Sequence, residues 1–174
     1  MTTADTQTVI REAGSETDRM HLADLARSIW EECFANILSQ EQIEYMLGQF
    51  QSAEAIGRQM QQGYRYYFIL CAGQPAGYFG IQPQQNGKLF LSKLYICAAV
   101  RGKGVGSAAF RFIEDLCRKQ GLHTIRLTVN RYNTHAIEVY RHRGFKQVEQ
   151  RATPIGQGFV MDDFILEKNL SDDL

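Results

Sequence analysis

The order in which its apolar patterns follow one another most constrains the fold of this chain. Up to Ile96, after helical segments, short runs rich in aromatic and β-branched residues alternate with turn signals, of which Asn86-Gly87 is the strongest hairpin signal. After Ile96 the pattern changes to helix, strand, helix and two further strands. Antiparallel hairpins followed by alternating strands and helices predict an α/β (α+β) chain with one sheet and helices on both faces.

Cap and turn residues give approximate boundaries for these elements. We expect a first helix from an N-cap at Thr17 or Asp18 to about Ile37, and a second from Ser39, with Gln42 completing a capping box, through Met46. Further helices are predicted over about 52–62, 104–120 and 133–142. The predicted strands are 8–11, 64–71, 76–81, 89–96, 124–129, 145–149 and 159–166.

Length and composition exclude several classes of protein. At 174 residues the chain predicts a single domain over 1–174, with the polar residues 1–6 forming a frayed tail. No window approaches 18 consecutive apolar residues and the first residues do not resemble a signal peptide, so we expect no membrane partner and a cytoplasmic location. The four cysteines are scattered without a Cys-x-x-Cys pair, so neither a disulfide framework nor a zinc site is expected.

Charge is balanced overall but divided along the chain. Nineteen basic and nineteen acidic residues give a formal net charge of zero, which argues against a dedicated nucleic-acid binder. Residues 101–151 nevertheless hold eleven Lys and Arg against four Asp and Glu, a net charge of +7, and the remainder carries −7. The basic segment favours a polyanionic ligand, and the acidic remainder favours a cationic one.

A glycine-rich loop is the strongest local motif. The segment Arg101-Gly102-Lys103-Gly104-Val105-Gly106-Ser107 follows a predicted strand and opens a predicted helix. Glycines let the backbone approach a ligand, and the N–H groups at a helix N-terminus bind anions, so the loop predicts a phosphate or pyrophosphate cradle. It is not a P-loop, because no Gly-Lys-Ser/Thr follows at the required spacing, and it lacks the last glycine of the Rossmann fingerprint.

A second motif, Asn133-x-x-Ala136-x-x-x-Tyr140-x-x-x-Gly144-Phe145, lies on the next predicted helix. Together with Arg101, Gly104 and Gly106, which match Gln/Arg-x-x-Gly-x-Gly/Ala, it resembles the GNAT superfamily of N-acetyltransferases. The resemblance is strongest over about 88–146. It implies a mixed, mostly antiparallel sheet of about seven strands, flanked by helices and splayed where acetyl-CoA binds.

The resemblance also implies roles for individual residues. Backbone N–H groups of the loop Gly102, Lys103, Gly104, Val105, Gly106 and Ser107, with Arg101 beside it, would hold the pyrophosphate of acetyl-CoA. The strand Leu94-Tyr95-Ile96 would pair with the pantetheine arm, and the Ile96 N–H would donate to the thioester oxygen. Asn133 would contact the cofactor, and Tyr140 would protonate the leaving thiolate. No metal is needed for this chemistry.

The residue that deprotonates the amine is not identified by the resemblance. Many relatives have a Glu where this chain has Ser92, and Ser cannot serve as a base near neutral pH. Water, a backbone carbonyl, Tyr95, His135 or an acid from elsewhere remain open. We expect His135 to be a solvated helix residue and Lys93 a surface charge.

The acceptor is expected to be a small-molecule amine. The regions that should form its pocket carry several acids, which would attract a cation: Glu31, Glu32, Glu41, Glu44, Asp162 and Asp163. Consecutive residues of a strand point to opposite faces, so at most one of Asp162 and Asp163 should face the site, and a bulge or strand edge there is an equal alternative. The chain is also similar to polyamine acetyltransferases of the PaiA type, which implies spermidine or spermine.

Other functions stay open at this stage. A protein N-terminus, a lysine side chain or an amino sugar could replace the polyamine as acceptor. The absent Glu at Ser92 fits a non-catalytic acyl-CoA sensor, which would bind CoA without acetyl transfer. A homodimer formed through the late strands is a further expectation.

Overall fold

The computed structural model describes residues 7–173, so the predicted frayed tail lies outside the described residues. Within this range the chain forms seven strands, five α-helices and two short 3-10 helices. In chain order these are β1 (Thr8–Ala13), α1 (Glu16–Phe34), α2 (Gln40–Phe50), α3 (Ala53–Gln61), β2 (Arg65–Cys71), β3 (Gln74–Pro83), β4 (Lys88–Ile96), a 3-10 helix (Ala98–Val100), α4 (Val105–Lys119), β5 (Thr124–Asn130), α5 (Thr134–His142), β6 (Lys146–Gly156), β7 (Phe159–Asn169) and a 3-10 helix (Leu170–Asp173).

The described strands form one mixed sheet in the order β1-β2-β3-β4-β5-β7-β6. Only β4 and β5 are parallel, and every other neighbouring pair is antiparallel. The hairpin between β3 and β4 turns through Asn86 and Gly87, which have φ angles of 65° and 73° and give the turn that the sequence predicted. The mixed seven-stranded sheet is confirmed.

Each face of the sheet carries its own hydrophobic core. Along β2, Tyr66 and Phe68 pack with buried residues of α1, α2 and α3, whereas Tyr67 and Ile69 pack with buried residues of α4 and α5. This alternation follows the period of two along a strand. We call these sides of the sheet the α1–α3 face and the α4–α5 face.

The cap of α1 differs from the prediction. Ser15, not Thr17 or Asp18, is the N-cap: its side chain accepts from the Asp18 N–H, and Asp18 caps the backbone in return. Asp18 is thus the third helical residue of a capping box, a position where a carboxylate also stabilises the helix dipole. The helix ends at Phe34, before the predicted Ile37.

The last two strands are longer than predicted. β6 runs to Gly156 rather than Glu149, although nearly all its residues are exposed, and β7 runs to Asn169. The tip of this hairpin contacts α2, where the Tyr45 hydroxyl donates to the Ile155 carbonyl at 2.6 Å. Among the helices of residues 7–173, none combines the length and the apolarity needed to cross a membrane.

Candidate active site

The parallel strands β4 and β5 separate part-way along their length. They pair from Lys88 to Leu91 against Thr124 to Leu127, and no pair follows. Ser92 has no partner in β3, because the register there passes from Ile81–Leu91 to Gly80–Lys93. This β-bulge lies where the strands part, and bulges bend the strand that carries them.

The separation opens a large cavity through the sheet. Its volume is about 1160 Å³, and its walls come from β4, β5, α1, α2, the start of α4 and α5. Such a volume exceeds that of a typical small-ligand pocket of about 300–1,000 Å³. Room for two substrates, one from each face of the sheet, is therefore available.

The free edge of β4 presents main-chain groups to the cavity. The Cys97 N–H donates to the Ala76 carbonyl at 2.8 Å, which makes that pair hydrogen-bonded across β3 and β4. Because hydrogen-bonded and non-hydrogen-bonded pairs alternate, the N–H and C=O groups of Ile96 and Leu94 point away from β3. They face the gap. The Leu94 groups and the Ile96 N–H are available to an extended ligand, whereas the Ile96 carbonyl accepts hydrogen bonds from the Arg101 guanidinium.

The glycine loop lies at the start of α4. Gly102 and Gly104 have φ angles of 78° and 77°, in the left-handed region that favours glycine. Gly104 is the N-cap of α4 and supplies no side-chain cap, so the first N–H groups of the helix stay open. The Arg143 guanidinium donates to the Ser107 hydroxyl at 2.8 Å and adds positive charge at this helix end.

Helix α5 carries the second motif into the cavity. Asn133 is its N-cap, and the Asn133 side chain accepts from the Ala136 N–H at 3.3 Å. Tyr140 packs edge-to-face against Phe110 and Phe145 and lines the cavity. Burial raises the pKa of Tyr140 to about 12, against a smaller opposing effect of Arg143. The phenol therefore stays protonated at neutral pH.

Comparison with known proteins agrees with this geometry. The profile of the family described as "Acetyltransferase (GNAT) family" matches residues 22–145. The chain belongs to this family. It is an acetyl-CoA-dependent N-acetyltransferase, and the glycine loop, the free edge of β4 and α5 line its large cavity.

Three relatives of this acetyltransferase illustrate the similarity. It is 27% identical to the spermidine N(1)-acetyltransferase of Thermoplasma acidophilum, over 84% of this chain and 88% of that one. It is 27% identical to the uncharacterised N-acetyltransferase YjgM of Escherichia coli, over 51% of this chain and 55% of the relative, so that match spans about half of each. The crystal structure of the Thermoplasma acidophilum PaiA N-acetyltransferase with coenzyme A superimposes with a TM-score of 0.78 at 25% identity, covering 94% and 99% of the two chains.

Most site residues predicted from the sequence line the cavity of the acetyltransferase. Those that do are Leu94, Tyr95, Ile96, Arg101, Gly102, Gly104, Val105, Gly106, Ser107, Asn133 and Tyr140. Lys103 is exposed outside the lining. The Arg101 guanidinium folds back to donate to the Ile96 carbonyl and, at 2.8 Å, to Cys33 Sγ. The main chain of Tyr95 pairs with β3, and its ring packs against Trp30 on the α1–α3 face.

Few of the predicted acceptor-pocket acids reach the cavity. Glu31 and Glu44 form ion pairs with Arg27, and Asp162 forms one with Arg131 at 3.4 Å. Glu41 is exposed and, like these three, is absent from the cavity wall. Glu32 and Asp163 are the predicted acids that line it. Only one of the two consecutive aspartates faces the site, and both lie in regular strand pairing rather than at a bulge or an edge.

Two cavity residues were misjudged or missed in the sequence. Lys93 is not a surface charge: it is 6% exposed, and its ammonium group donates to the Phe50 carbonyl, Gln59 and the Tyr66 hydroxyl. Arg143 also lines the cavity, near Ser107. Its position three residues after Tyr140, one turn along the same helix face, was the available signal.

Proposed function

We propose that this acetyltransferase transfers the acetyl group of acetyl-CoA to a cationic primary amine, and that a polyamine such as spermidine or spermine is the acceptor. The observation that carries the proposal is the Asp163 carboxylate, which lines the cavity without an ion-pair partner among the described residues. Glu32 adds a second carboxylate to the wall. The name of the Thermoplasma relative, a spermidine acetyltransferase, supports the same acceptor class.

Acetyl-CoA would bind from the α4–α5 face. The open N–H groups at the start of α4 and the Arg143 guanidinium suit its pyrophosphate, because a helix N-terminus favours anions. The outward N–H and C=O groups of Leu94 and the Ile96 N–H suit the amides of the pantetheine arm, which would add to β4 like a further strand. Asn133, at the start of α5, borders the same path.

Ile96 would act as the amine attacks the thioester, and Tyr140 would act as the thiolate leaves. The Ile96 N–H would donate to the oxygen that becomes negative as the amine attacks the thioester carbonyl, and such a preorganised donor is worth about 10²–10³ in rate. The Tyr140 hydroxyl would donate its proton to the departing thiolate. Its burial keeps that proton in place at neutral pH until sulfur leaves.

The test is release of CoA thiol from acetyl-CoA across a panel of amines. The panel holds spermidine, spermine, lysine, an amino sugar and a peptide with a free N-terminus, with a protein-only blank because the chain has four free cysteines. Spermidine- or spermine-dependent release is the expected result. Release with another amine alone would overturn the polyamine assignment, and CoA binding without release from any amine would favour a sensor.

A homodimer through the late strands stays a prediction. β6 is an edge strand of the described sheet, and its outer side has no strand partner within residues 7–173. Light scattering coupled to size exclusion would measure the mass.

A further inference from the structure

The Asp163 side chain belongs to the α1–α3 side of the cavity. It lies on β7 between regular partners, Asn130 of β5 and Arg151 of β6. Met161, two residues earlier and on the same face of the strand, packs against the core of the α1–α3 face. Asp163 therefore reaches the cavity from the side opposite to α4 and α5.

The strand register places Asp163 level with the predicted reaction centre. Continuing the pairing beyond Leu91 and Leu127 would bring Leu94 and Tyr95 opposite Asn130, the neighbour of Asp163. The electrostatics agree: burial is the main cause of the raised pKa of Tyr95, and the charges of Tyr140 and Asp163 both add to it. Asp163 and Tyr140 thus approach the same point of β4 from opposite faces.

The environment leaves the Asp163 carboxylate available to a ligand. Burial, with a smaller effect of the Asp162 charge, raises the pKa of Asp163 to about 6, and no hydrogen bond from the described residues stabilises its charge. Asp162 is held by Arg131 on the other face of the strand, and the strand partner Arg151 is bonded to Glu149. The other titratable groups lining the cavity are Glu32, Cys33, Tyr64, Lys93, Tyr95, Arg101, Tyr132, His135, Tyr140 and Arg143.

We propose that the Asp163 carboxylate is the base that takes a proton from the ammonium group of the acceptor, the role left open by Ser92. An alkylammonium of pKa near 10 must lose this proton before it can attack. The free amine then forms the C–N bond, the C–S bond breaks, and the thiolate takes the Tyr140 proton. After attack, the nitrogen carries one proton more than the amide product, and this proton returns through solvent to Tyr140. Asp163 releases its own proton to water, so one proton is liberated per acetyl transfer. This step rests on the acetyl-transfer reaction and not on the acceptor being a polyamine.

The first test compares Asp163→Asn with Asp162→Asn. Both changes remove one carboxylate from adjacent residues of the same strand, but only the first faces the cavity. With the best amine of the panel, Asp163→Asn is expected to lower kcat about 10²–10⁴-fold at pH 7, as for other general bases, and Asp162→Asn by less than about threefold. CoA affinity by calorimetry and the melting temperature should stay close to wild type in both.

The pH dependence separates a base from a simple anchor for the ammonium group. In the wild type, kcat/KM should rise with pH as Asp163 loses its proton near pH 6. In Asp163→Asn, kcat should instead rise tenfold per pH unit up to about pH 9, following the free amine itself. An increase in KM with kcat and its pH profile unchanged would overturn the proposal and make Asp163 an anchor.

A binding measurement does not depend on turnover. The carboxyl carbon of Asp163, observed by ¹³C NMR and assigned with Asp163→Asn, should titrate above the ordinary Asp range and respond when the amine is added to the CoA complex. If spermidine gave no turnover while another amine gave both turnover and a change in the Asp163 signal, only the polyamine assignment would be overturned. A carboxyl titration unaffected by every amine that the complex binds would overturn the role of Asp163.

Discussion

Replacing the buried Lys93 by Met should remove the part of the pH dependence of stability that comes from the Lys93 ammonium group. The Lys93 ammonium group lies among three acceptors, the Phe50 carbonyl at 2.5 Å, the Tyr66 hydroxyl at 2.6 Å and Gln59 Oε1 at 3.0 Å. Burial nevertheless lowers the pKa of Lys93 from 10.5 to about 7. Met has a similar length and no charge, so Lys93→Met removes the titration and keeps most of the packing.

The magnitude follows from proton linkage. Between pH 7 and 10.5 the unfolded chain binds a proton at Lys93 that the folded chain does not, so the free energy of unfolding rises with pH in this window. The difference between a pKa of 10.5 in the unfolded chain and about 7 in the folded one corresponds to at most about 5 kcal/mol over the whole window. Below pH 7 both states are protonated, and the contribution is constant.

The assay is urea unfolding of both proteins at several pH values from 6 to 10. The difference in unfolding free energy, variant minus wild type, should fall by about 4 kcal/mol between pH 6 and pH 10, because the contributions of the other titrating groups cancel. The hydrogen bonds lost in Lys93→Met lower its unfolding free energy by about 1–3 kcal/mol at every pH, and this constant term does not change the slope. Lys119→Met, at an exposed position of α4, is the control and should show no slope. A difference for Lys93→Met that is flat from pH 7 to 10 would refute the reasoning.

Three further changes test the site and the strands that frame it. Tyr140→Phe should lower kcat about 10²–10⁴-fold while CoA affinity is kept, in a thiol-release assay; near-normal turnover would remove Tyr140 as the proton donor. The control is Tyr67→Phe, because the Tyr67 hydroxyl has no hydrogen-bond partner among the described residues and lies outside the cavity lining. Gly104→Ala adds a Cβ at a φ of 77°, a strain of about 1–2 kcal/mol, and should weaken CoA binding up to about tenfold by calorimetry; unchanged affinity would contradict the cradle. Gly77→Ala would put a Cβ in steric conflict with the Tyr95 carbonyl oxygen of β4 and should lower stability by about 1–3 kcal/mol or more in thermal melts. A wild-type melting temperature would argue against this close approach of β3 and β4.

The parts of the site that were predictable are those built from main-chain geometry. A loop that needs positive φ at Gly102 and Gly104 has few alternatives to glycine, so its pattern remains visible in the sequence. The motif of α5 is visible for a similar reason, because Asn133 caps the helix and Tyr140 lies on the face that reaches the cavity. Spacing along one element fixes both features without knowledge of the rest of the fold.

The direction of Lys93 could not be predicted, because a single bulge changes it. Regular alternation from Leu91 would place Lys93 on the α4–α5 face, two residues along the same strand. The extra residue at Ser92 shifts the alternation by one, and Lys93 turns into the core beside Tyr66. Nothing in a run of strand-forming residues marks which one lacks a partner.

The two aspartates of β7 show the same limit for charge. Their sequence neighbours do not distinguish them, and the alternation of side chains along a strand shows only that the two carboxylates point to opposite faces of the sheet. The difference comes from Arg131, just beyond the end of β5, which forms an ion pair with Asp162. Asp163 lines the gap and has no ion-pair partner within residues 7–173. On β4 the unpaired residue of the bulge is Ser92, at the position where the family resemblance implies Glu, and on β7 the same gap exposes the Asp163 carboxylate. The missing base and the unpaired acid are thus on opposite walls of one opening, which is why Asp163 is the residue to test first.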